Sequence, residues 1–235
     1  MTCGISVETD HSSLSVCWAL WKARNELVWN RKYAKVNRVI ASAKQYLLQW
    51  TFAQVNCSSA PSKFAFEGDG AITWVRPQGN SIKVTVDAAL FSDSRKYGLG
   101  VVARDSAGRL VAAMTRCFPG EVTAEYAEAV AIKEALSWIK DQNWLEVSLE
   151  SDCLAVVQAI RSKVEMRSSF GQVVEDCRRS IRLSNISSLL FIKRSANVVA
   201  HCFARASYKY PDRNFNGSSV PVDLQDCILS EAVSD

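Results

Sequence analysis

The chain lacks any apolar run close to the roughly 18 residues that a membrane helix requires. It also lacks an opening segment with the basic, apolar and small-residue pattern of a secretory signal. Its eight cysteines include no Cys-x-x-Cys pair and no Cys–His cluster at zinc spacing, which argues against a zinc module. We therefore expect an intracellular, soluble protein, in the nucleus or the cytoplasm, without membrane association.

Strong charge of either sign is also missing, because the net charge is only +4. The distribution is uneven, since residues 213–235 hold one basic and four acidic residues and leave about +7 on the rest. A basic body is weakly consistent with a polyanionic partner. With 235 residues, 48% of them hydrophobic, the chain fits one globular domain with appendages or two small domains, and a mainly disordered chain is excluded.

Two parts of the chain differ in pattern. Apolar side chains recur at helical spacing from Leu14 to Trp29 and again from Val36 to Val55, which predicts an N-terminal pair of helices. A stretch rich in Ser, Gly and Pro follows and indicates a linker. We expect four parts: an N-terminal helical segment 1–56, a linker 57–73, a main domain 74–212 and an acidic, flexible tail 213–235.

The main domain alternates between strand and helix patterns. Period-2 alternation marks the strands, and apolar stripes mark the helices. Gly108 closes an Asp-Ser-Ala-Gly turn between the second and third strands, where a positive φ is useful. The predicted order is strands 81–87, 97–104 and 109–117, helix 123–140, strand 145–150, helices 153–163 and 169–183, strand 187–193 and helix 196–208. This order is typical of an α/β domain with a mixed five-stranded sheet flanked by helices.

Three acidic residues stand at informative positions. Asp87 ends the first strand, where a solvated strand-end acid is an equally good interpretation. Glu128 lies near the apolar stripe of its helix, where a carboxylate is costly unless it is paired, protonated or bound to metal, whereas Glu125 is expected to face solvent. Asp152 follows the fourth strand and could act as no more than a helix N-cap.

Taken together, the three acids favour a metal site over these separate interpretations. Asp87, Glu128 and Asp152 can converge above a mixed sheet, and converging carboxylates require cations. Hard oxygen ligands select Mg²⁺ or Mn²⁺, and two such ions about 4 Å apart support phosphodiester hydrolysis.

Five motifs around these residues resemble a known family. In chain order they are KVTVDAAL, YGLGVVARDSAGRLV, AEAVAIKEAL, VSLESDCLAVVQAI and RSANVVAHCFARAS. Over residues 74–212 they resemble the ribonuclease H type-1 domain, most closely the version found in plant non-LTR retrotransposons. The N-terminal run WALWKARNELVWN is similar to the segment that precedes this domain in such polyproteins.

The resemblance implies cleavage of the RNA strand of RNA–DNA hybrids with two metal ions. It gives Asp87, Glu128 and Asp152 the roles of three family carboxylates. The fourth, within an Asn-x-x-Ala-Asp run, falls on residues 197–201, where this chain has His201. Histidine removes a negative charge from the site and should weaken metal binding. It could instead donate a proton to the leaving oxygen or assist product release, or it could have no chemical role.

Binding of the hybrid would depend on basic and polar residues near the acids, because sugars and phosphates carry the shape of the hybrid. The candidates are Arg104, Lys193, Arg194 and Asn197. Arg178, Arg179 and Arg182 form a second patch, for which a solvated helix face is the favoured interpretation. The basic loop that some family members use to hold the hybrid is not evident between Ser162 and Ser169, so we expect weak, salt-sensitive binding.

Three functions remain open at this point. The leading one is a monomeric, metal-dependent endonuclease that acts on RNA–DNA hybrids. The second is a nucleic-acid-binding module with little turnover, which the histidine at 201 and the missing basic loop would explain. The third is a domesticated transposon remnant, against which the agreement of strands, helix stripe, turn and acids argues mildly.

Overall fold

The computed structural model describes residues 11–44, 46–47 and 69–232. These residues fall into two units, one within Met1–Lys63 and the other within Phe64–Asp235. None of the described helices combines the length and the apolar character that crossing a bilayer demands. The expected boundary at residue 56 and most of the expected linker, 57–68, lie outside the described residues.

The first unit is a pair of helices, as predicted. Helix α1 spans His11–Asn30, and helix α2 spans 36–44, with residues 46–47 also helical; the rest of its predicted extent, 48–55, lies outside the described residues. The helices are antiparallel, since the Trp18 ring meets the Tyr46 ring with centroids 3.7 Å apart and Lys22 Nζ donates to the Tyr46 hydroxyl at 3.3 Å. Residues 31–35 turn the chain, and Arg31 adopts a φ of 51°.

The second unit is built on one six-stranded mixed sheet. Its strands are β1 Ile82–Phe91, β2 Lys96–Arg104, β3 Leu110–Pro119, β4 Val147–Ser151, β5 Ile186–Phe191 and β6 Arg213–Asn216. Their spatial order is β5-β4-β1-β2-β3-β6. The β1–β2, β2–β3 and β3–β6 pairs are antiparallel, whereas β4 pairs parallel to both β1 and β5. The predicted mixed α/β fold is therefore confirmed, with one strand more than expected.

Helices cover both faces of this sheet. They are α3 Ala124–Lys140, α4 Leu154–Arg161, α5 Ser169–Arg182, α6 Val198–Ala206 and α7 Val222–Ala232. Alternate side chains of β1 and β2, such as Val84 and Val101, share a large core with α3, α4 and α5. On the opposite face, Val102 packs with Val199 and Phe203 of α6 in a smaller core that reaches α7. The site described below lies where α3 and α6 approach β1 from the two sides.

The C-terminal segment differs from the flexible tail that its acidity predicts. Strand β6 pairs antiparallel with β3, with Phe215 opposite Ala113. Helix α7 packs on α6 and buries Leu224 in the smaller core. Asp223 and Asp226 are exposed, and Asp223 accepts a hydrogen bond from Lys209 Nζ. The apolar residues between the acids therefore determine the structure of this segment, and they extend the second unit to residue 232.

Candidate active site

Strand register brings two of the predicted acids together. Val86 of β1 lies beside Ser151 of β4 at the end of their parallel pairing, so Asp87 and Asp152 follow at the same edge. Strand β1 does not end at Asp87 as predicted, because its hairpin pairing with β2 continues to Phe91. Asp152 is not the N-cap of α4 either, since Cys153 occupies that position.

Glu128 reaches the same point from α3. The Thr123 side chain caps this helix by accepting from the Tyr126 amide, so Glu128 lies in its second turn. Its Oε1 accepts a hydrogen bond from the Ala88 amide of β1 at 3.2 Å. The other oxygen, Oε2, is buried and has no hydrogen-bond partner among the described residues.

The three carboxylates form a cluster that resists full ionisation. One ligand oxygen from each of Asp87, Glu128 and Asp152 lies within 4.8 Å of the others. Burial, followed by the charge of Asp152, raises the pKa of Asp87 to about 6, although His201 opposes the shift. Burial, followed by the charges of Asp87 and Asp152, raises the pKa of Glu128 well above its ordinary value. Such repulsion is relieved by proton uptake or by a bound cation.

The cluster fits a hard divalent cation. Carboxylate oxygens are the ligands that Mg²⁺ and Mn²⁺ prefer, and Glu128 Oε2 is a buried acceptor that a cation would satisfy. The residues that could hold such an ion are therefore Asp87, Glu128 and Asp152.

His201 lies against Asp87 because α6 packs unusually close to the sheet. Gly100 of β2 is the register partner of Asp87, and a Cβ built there would lie only 2.6 Å from the Ala200 carbonyl oxygen of α6. The glycine therefore makes room for the helix rather than for a ligand. As a result His201 Nδ1 lies 2.8 Å from Asp87 Oδ2, with 34% of the histidine side chain exposed against 5% for the aspartate.

Asn197 is a buried part of the site rather than a surface contact. Its Nδ2 donates to the Val86 carbonyl at 2.9 Å and to Asp152 Oδ1 at 3.2 Å, which ties the two acid-bearing strands to the start of α6. Because the residue is only 1% exposed, it does not form the open surface that binding by its own side chain would need. Its position at the start of the Asn-x-x-Ala-Asp run, four residues before His201, was the sequence signal. That signal did not indicate that Asn197 links β1 to the residue after β4.

Two of the predicted basic contacts lie near the site. Arg194 Nη2 is 3.5 Å from His201 Nε2, and its charge acts to lower the pKa values of Asp87 and Glu128. Lys193 is exposed beside it, with Nζ over the Phe191 ring at 5.4 Å from the centroid. Arg194 therefore places positive charge beside the acidic cluster, and the exposed Lys193 precedes it in the chain.

Arg104 does not reach the site, contrary to the prediction. It pairs in register with Lys83, four residues along β1 from Asp87, a separation of roughly 13 Å at ordinary strand rise. The side chain is also buried, with its guanidinium 3.6 Å from the centroid of the Trp74 ring. The alternating pattern of β2 could not predict that Arg104 is buried, because Trp74, which covers it, lies far from β2 in sequence.

The second arginine patch has structural partners. Arg178 Nη2 donates to the Ala159 carbonyl at 2.7 Å and its Nε to the Ile160 carbonyl at 3.2 Å, which caps the C-terminus of α4. Arg182 pairs with Glu175, and Arg179 pairs with Asp176. Arg179 and Arg182 are exposed, as expected for a solvated helix face, whereas the Arg178 side chain is only 9% exposed.

Ribonucleases H are among the solved structures that resemble this chain. RNase H1 from the halophilic archaeon Halobacterium salinarum NRC-1 is 18% identical, with a TM-score of 0.50 over 55% of this chain and 98% of that chain. LC11-RNase H1, isolated from compost, is 19% identical, with a TM-score of 0.49 over 56% of this chain and 98% of that chain. No curated protein matches the sequence. Residues 85–207 match the model of the reverse transcriptase-like family, and the chain therefore belongs to that family.

Proposed function

We propose that the second unit is a metal-dependent endonuclease that hydrolyses the RNA strand of RNA–DNA hybrids. The observation that carries this proposal is the convergence of Asp87, Glu128 and Asp152 from three separate elements onto one point. A structural ion pair would not leave three acids facing one another with raised pKa values for Asp87 and Glu128. The ribonuclease H fold and the family membership support the same reaction class.

The three carboxylates would hold Mg²⁺ or Mn²⁺, as two ions in the family pattern. Bound there, the metal supplies an activated water and stabilises the leaving oxygen. Hydrogen bonds orient two of these ligands. The backbone amide of Ala88 donates to one oxygen of Glu128, and the side-chain amide of Asn197 donates to one oxygen of Asp152. Preorganised ligands reduce the ordering cost of ion binding.

His201 would assist at the open side of the cluster. An ionised Asp87 favours the imidazole tautomer with its proton on Nδ1, facing the 2.8 Å contact. The partly exposed ring then presents Nε2 toward Arg194 and solvent, where it can exchange a proton with a phosphate oxygen. This role replaces that of the fourth carboxylate of the family motif.

Arg194 and Lys193 would contact the backbone of the nucleic acid, since they are the exposed cations beside the acids. Asn197 supports them only indirectly, and Arg104 is not retained because it is buried away from the site. All the proposed site residues come from one chain, so a monomer suffices. The motif resemblance further supports descent from a plant non-LTR retrotransposon.

A second candidate is a nucleic-acid-binding module, or a domesticated transposon remnant, with little or no turnover. One observation favours it: His201 already occupies Asp87 Oδ2 at 2.8 Å, and this contact competes with a metal for the same oxygen. The short connection from Ser162 to Ser168 also supplies few cations to hold a hybrid.

A cleavage assay with matched substrates separates these candidates. The full chain is incubated with a labelled RNA–DNA hybrid, duplex DNA or duplex RNA, in Mg²⁺ and then in Mn²⁺. We expect cleavage of the hybrid alone, lost in Asp87→Asn and in Asp152→Asn because each removes a charged ligand of the cluster.

Glu125→Gln is the matched control, since Glu125 lies one turn before Glu128 on α3 and is not part of the cluster. This variant should keep the activity of the native chain. Equal cleavage by the Asp87→Asn variant would refute the nuclease, and hybrid binding without cleavage in either metal would establish the binding module instead.

A further inference from the structure

The turn between the two N-terminal helices forms an exposed basic surface together with the end of α1 and the start of α2. We call this surface the hairpin tip and define it as residues 29–38. Its sequence, WNRKYAKVNR, holds four basic residues and no acid. Every residue from 31 to 38 is exposed. The cations are Arg31, Lys32, Lys35 and Arg38.

Two aromatic rings lie among these cations. Trp29 is 79% exposed and Tyr33 is 87% exposed, the most exposed large aromatic side chains among the described residues. The burial of an aromatic ring is ordinarily one of the main gains of folding, so rings this open contribute little to the fold. Rings that the fold does not use are available to a partner.

The surrounding charge indicates the chemistry of that partner. Residues 1–63 carry eight basic and three acidic residues, whereas residues 64–235 carry 20 basic and 21 acidic residues. The positive charge of the protein therefore belongs to the first unit, and it is concentrated at the hairpin tip. A polyanion is the complementary ligand.

Exposed rings among cations favour one class of polyanion. Single-stranded nucleic acids have unstacked bases that stack on aromatic side chains, while basic residues follow the phosphates. Duplexes keep their bases stacked and offer the rings much less. An anionic membrane would attract the same cations, but Trp29 lies in the last turn of α1 and Tyr33 in the turn that follows. The two rings therefore do not line one apolar helix face, which is the usual membrane-surface pattern.

We propose that the hairpin tip binds single-stranded RNA or DNA without sequence preference, with bases stacked on Trp29 and Tyr33 and phosphates held by Lys32, Lys35 and Arg38. This binding is independent of the acidic cluster and of any metal. It gives the chain a nucleic-acid contact separate from the acidic cluster, in the unit that carries most of the net positive charge.

Fluorescence anisotropy of labelled 20-nucleotide strands, measured with the full chain in EDTA, tests the proposal. Separate arms use oligo-rU, oligo-dT, duplex DNA and vesicles containing an anionic phospholipid. We expect both single strands to bind more tightly than the duplex. The Trp29→Ala/Tyr33→Ala variant should weaken this binding by roughly 10-fold or more, because each stacked base contributes strongly.

A charge variant tests the phosphate contacts through salt dependence. Lys32→Gln/Lys35→Gln/Arg38→Gln should lower the slope of log affinity against log salt by about 2, the expected release from three single-strand phosphate contacts. The matched control, Lys163→Gln/Arg167→Gln/Arg205→Gln, removes the same charge from exposed positions of the second unit and should leave the slope unchanged.

Trp21→Ala is the control for the rings, since Trp21 is exposed on α1 outside the hairpin tip. It should leave the affinity within twofold. An equal loss in this control, an unchanged affinity in the double aromatic variant, or binding to the vesicles in place of the strands would each overturn the proposal. Because no arm measures cleavage, the result stands whether or not the nuclease is established.

Discussion

The two units of this chain manage their apolar and charged side chains in opposite ways. In the second unit, residues such as Val84, Leu99 and Phe203 are fully buried on the two faces of a sheet. Among the described residues of the first unit, only the small Ala19 and Ala43 are buried apolar side chains, while large rings stay exposed. The second unit uses its core to hold charge in place, and the first unit displays charge without such a core.

The difference shows what each kind of structure can do. Like charges can be held together only where packing fixes them, and Asp87, Glu128 and Asp152 converge because β1, β4 and α3 are locked by one core. The hairpin tip instead carries its four cations on exposed residues of the turn and of the start of α2. A cluster of acids at fixed positions therefore requires a buried core beneath it, whereas an exposed basic surface does not.

The largest effect should come from the core that holds α6. We expect Phe203→Ala to lower the free energy of unfolding by about 3–5 kcal/mol, because the ring is fully buried against Phe215 and leaves a cavity. Trp29→Ala, its counterpart in the hairpin, should change it by less than about 0.5 kcal/mol. Urea unfolding followed by far-UV circular dichroism measures both. A comparable loss in the two variants would show that the hairpin also depends on its rings for stability.

Much of the second unit could be predicted from the sequence because its signals are local. Strand alternation, the alanine stripe of α3 and the turn at Gly108, whose φ is 77°, each reflect contacts close in sequence. The positions of the three acids followed from the same local patterns: alternation along β1 for Asp87, the helix face for Glu128 and the end of β4 for Asp152. Their convergence needed one further assumption, the parallel pairing of β1 with β4, which the structure contains.

The misses have long-range causes. Strand β6 is only four residues long, and its pairing with β3 joins segments about one hundred residues apart. Arg104 was predicted to be a cation near the site, but the Trp74 ring covers its guanidinium. Gly100 lies on a strand pattern that gives no reason for a glycine, and the path of α6 across it explains why no side chain fits. Each of these features depends on a partner that no local pattern identifies.

A second prediction concerns the cost of assembling like charges. Because the pKa of Asp87 is raised to about 6, its ionised form destabilises the folded state above that pH. In EDTA at pH 7.5, Asp87→Asn should therefore raise the free energy of unfolding by up to about 2–3 kcal/mol. The gain should disappear below about pH 4, where the acid is protonated in both the folded and the unfolded chain.

Thermal and urea unfolding across this pH range provide the measurement. Asp93→Asn, a change at an exposed acid in the turn after β1, should alter stability by less than about 0.5 kcal/mol. A destabilised Asp87→Asn variant at pH 7.5 would mean that the contact with His201 outweighs the repulsion. In that case the ion pair of Asp87 with His201 would stabilise the folded state more than repulsion among the three acids destabilises it.

A third, smaller effect concerns Asn197, whose side chain links β1 to Asp152 after β4. Asn197→Ala leaves the buried Val86 carbonyl without its donor and should cost about 1–2 kcal/mol. Asn185→Ala removes an exposed hydrogen bond to the Trp144 carbonyl and should cost about 0.5 kcal/mol or less. Urea midpoints of the two variants, compared at one pH, give the difference. Equal losses of stability in the two variants would show that burial does not increase the contribution of the Asn197 hydrogen bonds.

The smallest expected effect lies within the hairpin itself. Lys22 Nζ sits 5.3 Å from the Trp18 ring centroid and donates to the Tyr46 hydroxyl, a contact at the surface that joins α1 to the chain after α2. Lys22→Gln should cost about 0.5 kcal/mol, as exposed cation–π contacts do, and Lys44→Gln is the exposed control. Near-UV circular dichroism during thermal unfolding follows the ring pair. A cost equal to that of Asn197→Ala would contradict this prediction. It would mean that single surface contacts stabilise the helix pair as strongly as buried hydrogen bonds stabilise the second unit.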